Sequence, residues 1–395
     1  MGNGAREVVL RARGSAEPLR RGHPWVWRDA IGQGLEGARV GEEVQVVAAD
    51  GTLVGRGLAD PGSPIAVRMW TRSASALAPD LWRRRIERAA ALRMQLTASA
   101  TTTAFRLLHG EGDRMPGFVV DRYDTVAVLR TDGEAAAAHV DDLVTALEPT
   151  LASLGVSTLV HRVGGKGVPP QHRVLRGSAP PPPTMRVQEH GLSFVVDLAH
   201  GQKTGAFLDQ RDNRQRVREL ASGARVLNLF SYAGGFSLFA VAGGAGHVTS
   251  VDVASGAHAT AQASFRASGF DPGAHAFATA DVFAFLEGAR AKGQRWDLVI
   301  SDPPSFAPSE KSLPRALSAY RSLHRACAAV LSPGGLLCAA SCSSHVDGDT
   351  FLSTLDDATL ERDDLRLLEM RGAGPDHPTL PGFPEGRYLK FALLG

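Results

Sequence analysis

At 395 residues, 44% hydrophobic and 21% charged, the chain is too long for one compact core and too apolar for disorder, so two or three globular domains are expected. No run approaches the roughly 18 apolar residues of a membrane span, and the opening MGNGAREVVLRARG has no signal-peptide core, which points to a cytoplasmic protein. A net charge of +2 does not by itself imply a polyanionic partner, and three cysteines without a C-x-x-C pair indicate neither a disulfide framework nor a zinc or other metal site.

Residues 1–72 alternate β-like runs (Val44 to Val47, Leu53 and Val54, Ile65 to Met69) with glycine turns, the pattern of a small β-barrel. Arg20, Arg21 and His23 stand beside Trp25 and Trp27, a combination that suits phosphate contact with base stacking and equally suits indoles plugging the barrel. Residues 73–190 read as a middle α+β domain: a helix from Pro79 to Leu96, a Ser/Thr loop, strands near 104–108, 117–120 and 125–129, a helix near 140–154 and a strand at 158–163. The first helix carries Arg83, Arg84, Arg85, Arg88 and Arg93, either a solvated face or one turned to RNA. His109, Glu111, Asp113 and Arg114 surround a Gly-Pro turn and either edge an active site or form a surface loop. Lys166 to Pro183, rich in Gly, Pro and Arg, reads as an exposed connection.

The third domain, 191–395, opens with a strand (Leu192 to Leu198), a polar loop and a helix starting near Asp209. From Arg225 strands and helices alternate, which calls for a parallel sheet with helices on both faces. RVLNLFSYAGGFSLFAVA is strand, loop and helix; Gly234 and Gly235 let backbone approach a ligand, and Asp252 ends the next strand where a carboxylate can accept from ribose hydroxyls. The loop is not G-x-G-x-x-G, so a cofactor without phosphate fits better than a dinucleotide, and S-adenosylmethionine is such a cofactor. Asp281 and Asp302 end two further strands, at the edge where open α/β sheets bind ligands.

In Asp302-Pro303-Pro304-Ser305-Phe306 the prolines hold extended backbone and donate no N–H, leaving carbonyls and a carboxylate as acceptors, with Phe306 available to stack on a base. Helices are expected at 254–268, 282–292 and 316–331, the last stopped by Ser332 to Gly335. Cys327 and Cys338 read as core thiols, whereas Cys342 falls at the carboxyl end of the fifth strand, beside the cleft. A thiolate there suits methylation of pyrimidine C5, because addition at C6 turns the ring into an enamine that can attack a methyl sulfonium.

The order N-L-F-S-Y-A-G-G-F-S, S-V-D, A-D-V-F, D-P-P-S-F and S-C-S-S, preceded by G-Q-K-T-G-A-F-L-D-Q-R, resembles the class I S-adenosylmethionine-dependent methyltransferases that form 5-methylcytosine in 23S rRNA. R-G-H-P-W-V-W with V-G-x-x-V-x-V resembles the PUA domain, an RNA-binding module. The resemblance implies an α/β fold: a Rossmann-like methyltransferase sheet at the C-terminus, closed by an antiparallel strand in Pro384 to Leu393, behind a PUA-like barrel and a middle α+β domain. It implies Cys342 as nucleophile and Asp302 on the cytosine edge. Ser231, Gly234, Asp252, Asp281 and Asp302 would hold the cofactor, with Lys203, Thr204, Phe207 and Arg211 on the preceding loop. Pro303, Pro304, Phe306 and Trp25 would meet the rRNA substrate. Many members carry Lys where this chain has Ser305, so the cation near the thiol must come from elsewhere, with His345 and Arg315 as candidates. Two competing readings remain, a guanine-N2 rRNA methyltransferase that needs no thiol and a non-catalytic RNA-binding assembly factor; a homodimer is compatible with each.

Overall fold

The computed structural model describes residues 5–164, 170–307 and 309–395. The chain splits into two compact units: the first ends at Pro182 and is rejoined by Pro375–Gly386, and the second comprises Pro183–Gly374 with Arg387–Gly395.

The first unit holds two sheets. Strands β1 (Arg6–Leu10), β2 (Trp25–Trp27), β3 (Ile31–Gln33), β4 (Glu43–Val47), β5 (Leu53–Ala59) and β6 (Ile65–Thr71) pair in the order β2-β6-β5-β4-β1-β3, beside the one-turn helix α1 (Glu17–Arg20). Helix α2 (Pro79–Leu96) leads to the second sheet, whose strands β7 (Ala104–His109), β8 (Phe118–Tyr123), β9 (Val126–Thr131), β10 (Thr158–Val163) and β11 (Gln171–Arg176) run in order β11-β10-β9-β8-β7. Between β9 and β10 lie α3 (Glu134–Ala137) and α4 (Val140–Ser153). Trp82, Ile86 and Ala89 of α2 and Leu143, Leu147 and Leu151 of α4 share one core with Phe105, Leu107 and Leu129 of the sheet, which is what their three- and four-residue spacing dictates. β11 corrects the expected exposed connection: its polar sequence QHRVLR conceals a strand because it lies at a sheet edge, paired only with β10. Residues 166–169 of that stretch lie outside the described residues.

The second unit begins with the hairpin β12 (Thr184–Glu189) and β13 (Leu192–Asp197), turned by His190 (φ 48°) and Gly191 (φ 81°). Two left-handed residues match a tight hairpin's twist, and the second unit begins at Pro183, just before this hairpin. Helix α5 (Arg211–Leu220) leads into a seven-stranded sheet of β14 (Arg225–Leu229), β15 (His247–Asp252), β16 (Ala276–Thr279), β17 (Trp296–Ser301), β18 (Leu331–Ser341), β19 (Leu367–Arg371) and β20 (Lys390–Leu394). Its order is β16-β15-β14-β17-β18-β20-β19; the first five are parallel and β20 is antiparallel to both neighbours. The connecting helices are α6 (Gly235–Ala242), α7 (Ser255–Ala267), α8 (Val282–Ala291), α9 (Leu313–Ala329), α10 (Gly348–Ser353) and α11 (Asp356–Glu361).

Alternation along the strands gives each sheet face its own core. Val226, Leu298, Ile300 and Cys338 pack with Val217, Phe236 and Ala240, while Leu227, Val299 and Leu337 pack with Leu286, Tyr320, Leu323 and Cys327. Cys327 and Cys338 are thus core thiols, both pushed up to about 12 by burial. β18 starts at Leu331, so Ser332 to Gly335 do not separate helix from strand; they lie inside the strand, where its register against β17 shifts.

Candidate active site

The sheet order reverses between β14 and β17, and a crevice must open at the carboxyl ends of the strands there. A cavity of about 310 Å³ occupies this place, with Ser231, Asp252, Asp302 and Cys342 in its wall. Its first wall is the loop after β14, where Phe230 (φ 56°), Tyr232 (φ 46°) and Gly234 (φ 71°) are all left-handed. Such conformations persist in non-glycine residues only where the surroundings over-determine them. Here Tyr232 N–H donates to Asp252 Oδ2 (2.8 Å), Ser231 N–H to Val251 O (3.0 Å) and Gly234 N–H to Ser231 O (2.8 Å). A Cβ on Gly234 would lie 2.5 Å from Ala261 Cβ, so its glycine serves the turn and the close approach of α7. Lys203, on the opposing loop, is also left-handed (φ 54°).

The ionisable groups are tightly linked. Lys203 Nζ donates to Asp209 Oδ2 at 2.6 Å, and the Tyr388 hydroxyl donates to the same oxygen at 2.7 Å. Burial and, after it, the neighbouring Asp209 charge raise Asp302 to about 7, against the opposing pull of Lys203, the Gln210 hydrogen bond and Arg214. Cys342 Sγ lies 4.0 Å from Pro303 O, which joins the thiol to the Asp-Pro-Pro turn. Burial raises this thiol to about 11, as do Asp302 and Asp209, while Lys203 and Lys390 act the other way.

Lys390 is nearly fully buried at the start of β20, directly across from Ser341. It donates to Ser343 O (2.6 Å) and Tyr388 O (2.7 Å). Burial lowers it to about 8, opposed by Cys342 and Asp347. The cations acting on the thiol are therefore Lys203 and Lys390, and the expectation of His345 or Arg315, both exposed, is corrected.

Of the residues expected from sequence, the fold brings Cys342, Asp302, Ser231, Asp252, Lys203, Phe207, Pro303 and Pro304 to this one cavity. Gly235 lines it in place of Gly234. Asp281 does not line it: its Oδ1 accepts from Ala284 N at 3.0 Å and caps α8. Thr204 and Arg211 are buried outside the lining, Arg211 with Nε 3.2 Å from Asp212. Phe306 is partly buried, packs on Tyr320 (4.8 Å between centroids) against the core of that sheet face, and is not among the residues lining this cavity. Trp25 belongs to the first unit, where its indole N–H donates to Glu111 (2.8 Å).

His109, Glu111 and Asp113 are likewise engaged within the first unit. Asp113 pairs with fully buried Arg93 (2.7 and 2.6 Å), Glu111 with Arg68, and the His109 ring lies 4.9 Å from that of His377. Sequence reasoning missed Asp209, Arg214 and Lys390. The first two lie among the polar residues entering α5, and Lys390 is the one charge in an apolar closing strand, a signal that was available.

The wall suits a nucleoside cofactor with an amino-acid tail. The Ser231 hydroxyl is buried without a partner among the described residues, Asp252 keeps acceptor capacity beyond its two backbone bonds, and Tyr232, Phe207 and Phe236 supply apolar surface. A mostly parallel doubly wound sheet with an antiparallel strand next to its edge, a glycine loop after the first strand and a carboxylate after the second define an α/β methyltransferase. The description "S-adenosylmethionine-dependent methyltransferase" matches residues 106–388, and a PUA-like domain matches residues 8–72. The chain belongs to the S-adenosylmethionine-dependent methyltransferase family, and its cofactor is S-adenosylmethionine.

Among its relatives, the Ribosomal RNA large subunit methyltransferase I of Alteromonas mediterranea is 37% identical over 376 residues, 94% of each chain. That of Photobacterium profundum is 37% identical over 389 residues, 97% of each. In fold, the chain is similar to a proposed SAM-dependent methyltransferase from Streptococcus mutans, with a TM-score of 0.87 and 24% identity over 98% of this chain and 99% of that one. No helix among the described residues is long and apolar enough to cross a membrane.

Proposed function

We propose that this protein methylates large-subunit rRNA and forms 5-methylcytosine through a covalent adduct on Cys342. The observation that carries this reading is that Cys342 and Asp302 line the same cavity as Ser231 and Asp252. The names of the relatives and the PUA-like domain support an rRNA substrate.

S-adenosylmethionine, when bound, supplies an electrophilic methyl sulfonium. Cys342 adds through its thiolate to C6 of the base, breaking the C5–C6 double bond and making C5 nucleophilic. Asp302, raised to about 7, is protonated in a large fraction of molecules at neutral pH and donates to the ring edge where negative charge develops. Lys203 and Lys390 favour the thiolate over the thiol. Pro303 and Pro304 add no competing backbone donor beside Asp302. C5 then takes the methyl group as its bond to the sulfonium sulfur breaks and the neutral thioether leaves. Loss of the C5 proton to solvent gives its electron pair back to the C5–C6 double bond as the C6–Sγ bond breaks and Cys342 departs as thiolate.

One observation favours methyl transfer to a guanine amine instead. The free thiol is pushed up, not down, and Asp302 and Pro303 O could serve as acceptors for an amine. The two readings separate on one experiment: transfer from labelled S-adenosylmethionine to unmodified large-subunit rRNA, digestion to nucleosides and mass spectrometry. 5-Methylcytidine, with turnover abolished and cofactor affinity kept in Cys342→Ala, is the expected result. Methylguanosine, or full turnover by that variant, rejects the covalent reading.

A further inference from the structure

Helix α2 carries five arginines, and the fold gives them different tasks. Arg93 is locked in its buried pair with Asp113, and Arg83 and Arg84 both reach Asp80 at the helix start. Arg85 is different. Its guanidinium donates to two carbonyls, Trp70 O and Arg114 O, each at 2.5 Å, and lies 5.5 Å from the Trp70 ring centroid, with no carboxylate partner among the described residues. The exposed Arg88 and Arg114 side chains have neither a hydrogen bond nor an ion pair among the described residues.

Arg84, Arg85, Arg88 and Arg114 nevertheless line one open concavity of about 560 Å³ within the first unit. The carboxylate at its rim, Asp113, has both oxygens on Arg93. Burial lowers Arg85 to about 10, and Arg114, Arg88 and Arg84 add to the fall, which records how closely these cations crowd. A chain of net charge +2 has no general excess to account for this concentration.

We propose that the concavity seats a phosphodiester of the RNA backbone, gripped by Arg88 and Arg114 above the fixed guanidinium of Arg85. This rests on the reading that RNA is the substrate. Guanidinium forks match phosphate oxygens in pairs, and an open groove admits a continuing polymer. Base identity is not read there, so the site contributes affinity and register.

The test is the binding of a large-subunit rRNA fragment, followed by fluorescence anisotropy from about 50 to 200 mM salt. The R88Q/R114Q double variant should bind roughly tenfold more weakly, and the slope of log K against log salt should fall by about 1.5. Calorimetric affinity for S-adenosylmethionine should be unchanged. R88Q alone should lower the slope by about half as much as the double variant, whereas R83Q, which removes the same single charge just outside the groove, should leave the slope nearly as in the wild type. Equal losses in R83Q and R88Q, or no loss in the double variant, overturn the groove while leaving the RNA reading intact. Displacement of the RNA by millimolar tripolyphosphate in the wild type but not in the double variant supports the shared phosphate chemistry. Tripolyphosphate binding that depends on Arg88 and Arg114 while RNA binding does not makes this a free-anion site and overturns the proposal. Wild-type protein that fails to bind rRNA at any salt overturns both.

Discussion

Asp302 and Cys342 are held in states that oppose their neighbours' usual chemistry, and each state has a measurable consequence. Asp302 titrates near 7 in the fold and near 3.8 when unfolded, so the folded state holds its proton more tightly. The stability this contributes is fully present below pH 3.8 and is lost as pH rises to about 7. Asp302→Asn removes that loss: the variant should be more stable than the wild type at pH 8, by roughly 1–3 kcal/mol in urea unfolding, while turnover falls at least about 100-fold. A variant less stable at pH 8 contradicts the burial account. For Cys342, two cations oppose the effect of burial, Lys203 and after it Lys390, whose strand pairs with β18 at Ser341. Lys390→Met should slow alkylation of Cys342 by iodoacetamide at pH 7, where Lys390 still carries its charge, by roughly three- to tenfold, with cofactor affinity preserved. An unchanged alkylation rate assigns Lys390 to strand packing alone.

At the scale of elements, the strand-end acids divide by what their helices need. Asp252 faces the cavity because its oxygens meet N–H groups of its own turn and of the glycine loop, Ala254 and Tyr232. Asp281 is engaged as a helix cap. Asp281→Ala should cost about 1 kcal/mol of stability, the usual worth of such a cap, and leave the affinity for S-adenosylmethionine unchanged in calorimetry. A tenfold weaker affinity with unchanged stability would restore it to the cofactor site. Gly234→Ala meets both a left-handed backbone and a Cβ contact of 2.5 Å with Ala261. It should destabilise the second unit by about 1–3 kcal/mol and weaken cofactor binding together with it.

Over the whole molecule, buried histidines set an acid limit opposite in sign to that of Asp302. His324 lies buried between α9 and the turn after α10, Nδ1 3.0 Å from Thr354 O, and burial lowers it to about 4. Its contribution is present above pH 6.5 and lost as pH falls through about 4, about 3 kcal/mol in all. His109, held well below its ordinary value by burial and by His377, adds the same sign in the first unit. With Asp302→Asn in place, stability should rise from pH 4 to 6.5 and then stay level; a profile still falling toward pH 7 points to another acid. By itself the sequence determined the doubly wound C-terminal sheet, its glycine loop, Asp252, Asp302 and Cys342. Each rests on a local rule: β-to-α alternation, a backbone too close for a side chain, and residues placed at strand ends. Only the tertiary structure decided the rest. β11 hides in a polar edge, Pro375–Gly386 leaves the second unit for the first, and Phe306, partly buried, packs on Tyr320 while Asp281 caps a helix. Lys390 reaches the thiol's surroundings because an antiparallel strand from the far end of the chain lies against β18. Pairing between residues far apart in sequence leaves no periodic trace in either segment, so cross-strand register, and with it the charge around Cys342, exists only once the sheet has closed.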